Sequence, residues 1–107
     1  MRYFVVLVTA SSMEEAMRIA RRVVEEKLAA CVNIVNGVRS VYVWKGNVEE
    51  GSEVLLIMKT REDVLQRLIE RVKELHSYEV PEVIAIEIAN GLSAYLEWID
   101  RVVEGRE

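Results

Sequence analysis

A chain of 107 residues with 51% apolar and 30% charged side chains is globular, and it is long enough for one hydrophobic core but not two. Its net charge of −4, from 14 Lys and Arg against 18 Asp and Glu, argues against nucleic acid as a partner. Phosphate contacts need clustered cations, and here the basic residues (Arg18, Arg21, Arg22 and Lys27; Arg67, Arg71 and Lys73) are interleaved with Glu as on solvated helix faces.

Tyr3 to Thr9 is a continuous β-branched and aromatic run, the pattern of a central strand. It is too short to span a membrane and lacks the cleavage site of a secretory signal. The single cysteine, Cys31, excludes an intrachain disulfide, so the expected compartment is reducing and cytoplasmic. Ser12 and Glu15 have capping-box spacing, and Met13, Ala16, Met17, Ala20, Val23, Val24 and Leu28 recur at helical spacing, predicting a helix to Lys27 or Leu28.

Cys31 to Val35 is a second strand, interrupted at Asn36-Gly37. That pair suits either a bulge inside one long bent strand, the preferred reading, or a true turn that would add a short strand. Val38 to Lys45 alternates, with Val38, Ser40, Tyr42 and Trp44 on one face. Gly46-Asn47 and Gly51 bracket a charged hairpin tip, and the chain returns as a strand over Ser52 to Lys59. Thr60 and Asp63 repeat the cap spacing before a second helical stripe, Val64, Leu65, Leu68, Ile69, Val72 and Leu75, which ends near His76. Pro81 forces Ser77 to Pro81 out of helix. Val83 to Ile88 is a fourth strand, Asn90-Gly91 breaks it, and Leu92, Tyr95, Leu96, Ile99 and Val102 mark a short C-terminal helix.

The order β-α-β-β-α-β-α predicts an α+β, ferredoxin-like sandwich over residues 1–107, with a long hairpin between its second and third strands and an extra helix at the end. Two helices cover one face of such a sheet. The other face is also apolar here, and the C-terminal helix is too short to cover it all. A long hairpin carrying Tyr42, Trp44 and Val48 overhangs the domain and invites aggregation unless a neighbouring subunit covers it.

Catalytic signatures are absent: no glycine-rich phosphate loop, no CxxC or HExxH, and no nucleophile–base pair that the topology would unite. The chain therefore does not read as an enzyme. One polar cluster stands out, HSYEVPE from His76 to Glu82, on an irregular segment where function concentrates. His76 with Glu79 and Glu82 offers imidazole and carboxylate ligands that suit Cu(II) or another divalent cation.

Several segments together, EKLAACVNI (Glu26 to Ile34), SVYVWKG (Ser40 to Gly46), EVLLIMKT (Glu53 to Thr60), HSYEVPE (His76 to Glu82) and YLEW (Tyr95 to Trp98), resemble the CutA family of divalent-cation tolerance proteins over nearly the whole chain. The resemblance implies a homotrimer of ferredoxin-like subunits with hairpins packed between neighbours, linked to tolerance of copper and other divalent cations. Members to which copper binding is attributed carry a cysteine where this chain has Val8 and a His-His pair where it has Leu75 and His76. Architecture of this kind is similar to that of the trimeric PII signalling proteins, which gives a second reading: a regulatory or scaffold trimer taking a small ligand or partner protein in its intersubunit clefts. The cleft lining would then be Tyr42, Trp44, Lys59, Tyr78 and Trp98.

Overall fold

The computed structural model describes residues 1–107. The chain runs β1 (Tyr3–Ala10), α1 (Met13–Glu25), β2 (Cys31–Trp44), β3 (Asn47–Arg61), α2 (Glu62–Leu75), β4 (Val83–Glu87) and α3 (Ser93–Val103). Its four strands form one antiparallel sheet in the order β2-β3-β1-β4, the ferredoxin-like arrangement. No helix is long and apolar enough to cross a membrane.

Strand period and helix period meet in the core. Phe4, Val6, Val8 and Ala10 of β1 and Val54, Leu56 and Met58 of β3 point to one face and are buried. Ala16, Ile19, Ala20 and Val23 of α1 and Val64, Leu68 and Val72 of α2 recur at three- and four-residue spacing, so each helix lays one apolar stripe on that face. Each fully buried Val, Leu or Ile adds roughly 1.5–3 kcal/mol over exposure.

Helix ends depart from expectation in two places. α1 stops at Glu25 because Lys27 takes the left-handed conformation at φ 61°, letting Leu28 N–H close back on Val23 O at 2.9 Å. The Thr60 cap does not form. β3 runs on through Thr60 and Arg61, which pair with Phe4 and Tyr3, and Thr60 Oγ1 donates to Leu28 O at 2.7 Å. Arg61 takes the N-cap position of α2 without a capping bond.

The Asn36-Gly37 pair is a bulge within one long strand, with Gly37 at φ 74° and the register shifting between Val35 and Val38. The tip differs from expectation. Lys45 (φ 51°) and Gly46 (φ 81°) alone make a two-residue turn with the twist of a type I′ hairpin, so β3 starts at Asn47 and Gly51 lies inside it opposite Ser40. Both hairpin strands thus exceed the usual ~5–6 residues, and the molecule is elongated at 45 × 26 × 23 Å.

The face away from α1 and α2 carries Val5, Leu7, Leu55, Ile57, Ile84 and Ile86 in adjacent rows. α3 covers part of it, burying Ile99 and tying down through Asp100, which meets Tyr3 Oη and Arg61 Nη1 at 3.0 Å. Ile84 and Ile86 remain half exposed, and Val41, Val43 and Val48 stand bare on the hairpin.

Candidate functional site

A groove of about 810 Å³ lies between the hairpin and the segment that joins α2 to β4. The register builds one wall: Tyr42 pairs with Glu49, Ser40 with Gly51 and Val38 with Glu53, so Tyr42, Trp44, Glu49 and Glu53 continue one face of the sheet outward along the hairpin. Tyr78, Glu79, Val80, Pro81 and Glu82 form the other wall, with Thr9 and Arg39 also in the lining. Tyr78 Oη donates to Glu53 Oε2 at 2.8 Å and bridges the two walls. Burial, then the Glu53 carboxylate, raises the Tyr78 phenol well above its ordinary value, so it remains a donor.

Behind the groove, His76 is buried. Its Nε2 lies 2.7 Å from Thr9 O, which can only accept, so Nε2 carries the proton. Nδ1 accepts from Tyr78 N–H at 3.1 Å, and the two rings lie tilted with centroids 4.6 Å apart. Glu15 Oε2 is 3.8 Å from Nδ1. Both ring nitrogens are engaged, so a metal reaches His76 only if the ring leaves Thr9 or Tyr78.

The Glu15 carboxylate completes this layer. Its Oε1 accepts from Ser11 N (3.0 Å) and Ser11 Oγ (2.8 Å), and its Oε2 from Ser77 N (2.8 Å). Burial works to raise its pKa, but the bonds from Ser11 and Ser77 outweigh burial and hold it at about 2. The predicted capping box is therefore half present: Ser12 Oγ accepts from Glu15 N at 3.1 Å, while the Glu15 side chain turns to tertiary partners.

Of the residues singled out in the sequence, Tyr42, Trp44, Tyr78, Glu79 and Glu82 line this one groove, with His76 directly behind. Lys59 and Trp98 lie elsewhere. Lys59 pairs with Val5 and Cys31, four residues along β1 from Thr9, and its ammonium hydrogen-bonds Asn33. Trp98 packs on Tyr95 of α3, ring centroids 5.5 Å apart. Within one subunit Lys59 therefore does not join the lining of this groove. Glu49, Glu53 and Arg39 also line the groove and escaped the sequence reading. Taking Lys45-Gly46 as the turn would have set Glu49 opposite Tyr42. No three His, Cys, Asp or Glu side chains converge as a ready metal cluster.

A family model described as CutA1 divalent ion tolerance protein matches residues 4–102. The divalent-cation tolerance protein CutA of Thermus thermophilus is 53% identical over 95 residues, which is 89% of this chain and 92% of that protein. The chloroplastic Protein CutA of Arabidopsis thaliana is also 53% identical over 95 residues, 89% of this chain, but the chain spans only 52% of its length. The chain likewise spans about half of the rice relative, at 54%. Among solved structures, the Thermus thermophilus divalent cation tolerance protein superposes with a TM-score of 0.88 at 52% identity, covering 90% of this chain and 93% of that one. The periplasmic divalent cation tolerance protein CutA of Archaeoglobus fulgidus gives 0.91 at 44% identity, covering 94% and 98%. Fold, identity and matched length agree, and the chain belongs to the CutA1 divalent ion tolerance protein family.

Proposed function

We propose that this chain acts in divalent-cation tolerance as a homotrimer, binding Cu(II) or another divalent cation at the groove through Glu79 and Glu82, with His76 as a reserve ligand behind them. The carboxylate balance of the groove carries this reading. Glu49, Glu53, Glu79 and Glu82 face a single cation, Arg39, and none of the four is ion-paired. Carboxylates, with imidazole where it is free, suit divalent transition ions.

A single chain offers an incomplete ligand set, so a second subunit supplies the rest. The uncovered apolar sheet face and the bare hairpin support assembly, and closed symmetry removes both exposed surfaces at once. The role is binding rather than catalysis, and the lone thiol of Cys31 accords with a reducing, cytoplasmic compartment. A PII-like regulatory trimer is the less favoured reading, because the Thermus thermophilus and Archaeoglobus fulgidus relatives carry cation-tolerance names.

Titration calorimetry of Cu(II) into the native protein tests the proposal. A saturable heat is expected, and the paired change Glu79→Gln with Glu82→Gln weakens binding about tenfold or more, a loss of roughly 1.4 kcal/mol. Absence of saturable heat in the native protein contradicts it.

A further inference from the structure

We infer that Glu15 is the positioning residue of the groove: its buried carboxylate fixes the segment Ser77–Glu82, and with it Tyr78, Glu79 and Glu82, against the end of β1. A Glu at the third position of a helix has a local task, to reach back to the N–H of its own cap. Glu15 instead spans from Ser11 to Ser77, far along the chain. It is only 5% exposed. The nearest cation is a half-exposed Arg18 at 3.9 Å, and the His76 ring at 3.8 Å accepts at Nδ1 from Tyr78 N–H, so the Glu15 charge is held by oriented N–H and O–H donors rather than by a close ion pair.

The segment depends on such tethers. Outside the helices and strands, none of the remaining backbone–backbone hydrogen bonds involves residues 77–82. Its fixed points are Ser77 N–H on Glu15, Tyr78 N–H on His76 Nδ1 and Tyr78 Oη on Glu53. These three occur on consecutive residues, so release of Ser77 frees the two Tyr78 contacts and the carboxylates that follow. Arg18, one turn beyond Glu15, adds a bond from Nη2 to Leu75 O at 3.1 Å, so α1 grips the end of α2 as well.

Amide hydrogen exchange on the native assembled protein tests this without any ligand. Glutamine has one acceptor oxygen and one NH₂, so Glu15→Gln cannot accept from Ser11 and Ser77 together. The Ser77 and Tyr78 amides should then exchange at least about tenfold faster while those of β1 and the α2 core stay within about threefold. Glu15→Asp is one methylene shorter, cannot span both partners, and should act the same way if the glutamine variant does not fold. Ser11→Ala removes only the Oγ donor and should leave Ser77 and Tyr78 protected.

A second arm rests on the proposed function: Cu(II) binding should weaken about tenfold in Glu15→Gln and be unchanged in Ser11→Ala. If the native protein takes up no Cu(II), the cation reading fails while the exchange arm still judges Glu15. Unchanged exchange at Ser77 and Tyr78 in the Glu15 variants, or equal acceleration along the whole chain, would overturn the inference.

Discussion

Glu15 ties acid stability to the groove. Its carboxyl titrates near its ordinary 4.5 in the unfolded chain and at about 2 in the folded one, because the Ser11 and Ser77 donors outweigh burial. The folded pKa is the lower of the two. The stabilisation is therefore complete above the unfolded value and is lost as pH falls toward 2, with a size on the order of 3 kcal/mol. Asp63, Glu62 and Glu104 are also lowered, by Arg61, Arg2 and both Arg61 and Arg106 respectively, and act in the same direction. Urea unfolding followed from about pH 6 to about pH 2.5 should show a steep loss in the native protein and a shallower one in Glu15→Gln, which lacks that linkage. Identical pH profiles would show that the hydrogen bonds to Glu15 do not lower its pKa. The spacing of Ser12 and Glu15 was legible in the sequence, but it pointed only to a helix start. The partner that gives Glu15 its weight is Ser77, and a tertiary contact between the first turn of a helix and an irregular segment leaves no periodic trace.

At the scale of elements, the alternation of β1 and β3 and the stripes of α1 and α2 were readable because a buried face imposes a period on the chain. The hairpin tip was misplaced for a related reason. Asn47 to Gly51 reads as turn residues by composition, yet Asn47 to Glu50 are all exposed and obey no burial pattern, and the turn is decided by backbone conformation at Lys45 and Gly46. A Cβ on Gly46 would meet nothing within 4 Å, so any penalty there comes from its φ of 81° alone. Gly46→Ala should lower the unfolding free energy by about 1–2 kcal/mol, measured by chemical denaturation. A neutral result would place the turn elsewhere.

α3 depends on a different device. Arg61, 7% exposed at its side chain, holds Asp63 through Nε and Nη2 at 2.8 Å and reaches Asp100 at 3.0 Å and Glu104 at 2.5 Å through Nη1. The carboxylates are partly in water, so Arg61→Gln should cost only about 1–2 kcal/mol. Amide exchange should rise in α3 before it rises in α1. Sequence reading found the Ile99 stripe of this helix but not its clamp, because Arg61 lay two residues beyond the strand end assigned to Lys59.

For the whole molecule, the sheet has one face closed by two helices and one face that a single chain leaves half open. The groove opens on the same side, continued along the hairpin by Tyr42, Trp44, Glu49 and Glu53. On the proposed function, assembly and cation binding are coupled: the neighbour proposed to cover Ile84, Ile86 and the hairpin would also supply the missing ligands. The length and apolarity of the hairpin were legible in the sequence. Which carboxylates meet was not, since that depends on the register set by a two-residue turn. Cu(II) titration calorimetry on the native protein and on an Ile84→Glu, Ile86→Glu variant, with the mass of each measured by sedimentation equilibrium, tests the coupling most directly. The native protein should sediment at three times the chain mass and give a saturable heat, and the variant should fall to the mass of one chain and bind at least about tenfold more weakly. A native protein that sediments as a single chain, or a single-chain variant that binds Cu(II) as tightly as the native one, would contradict the account.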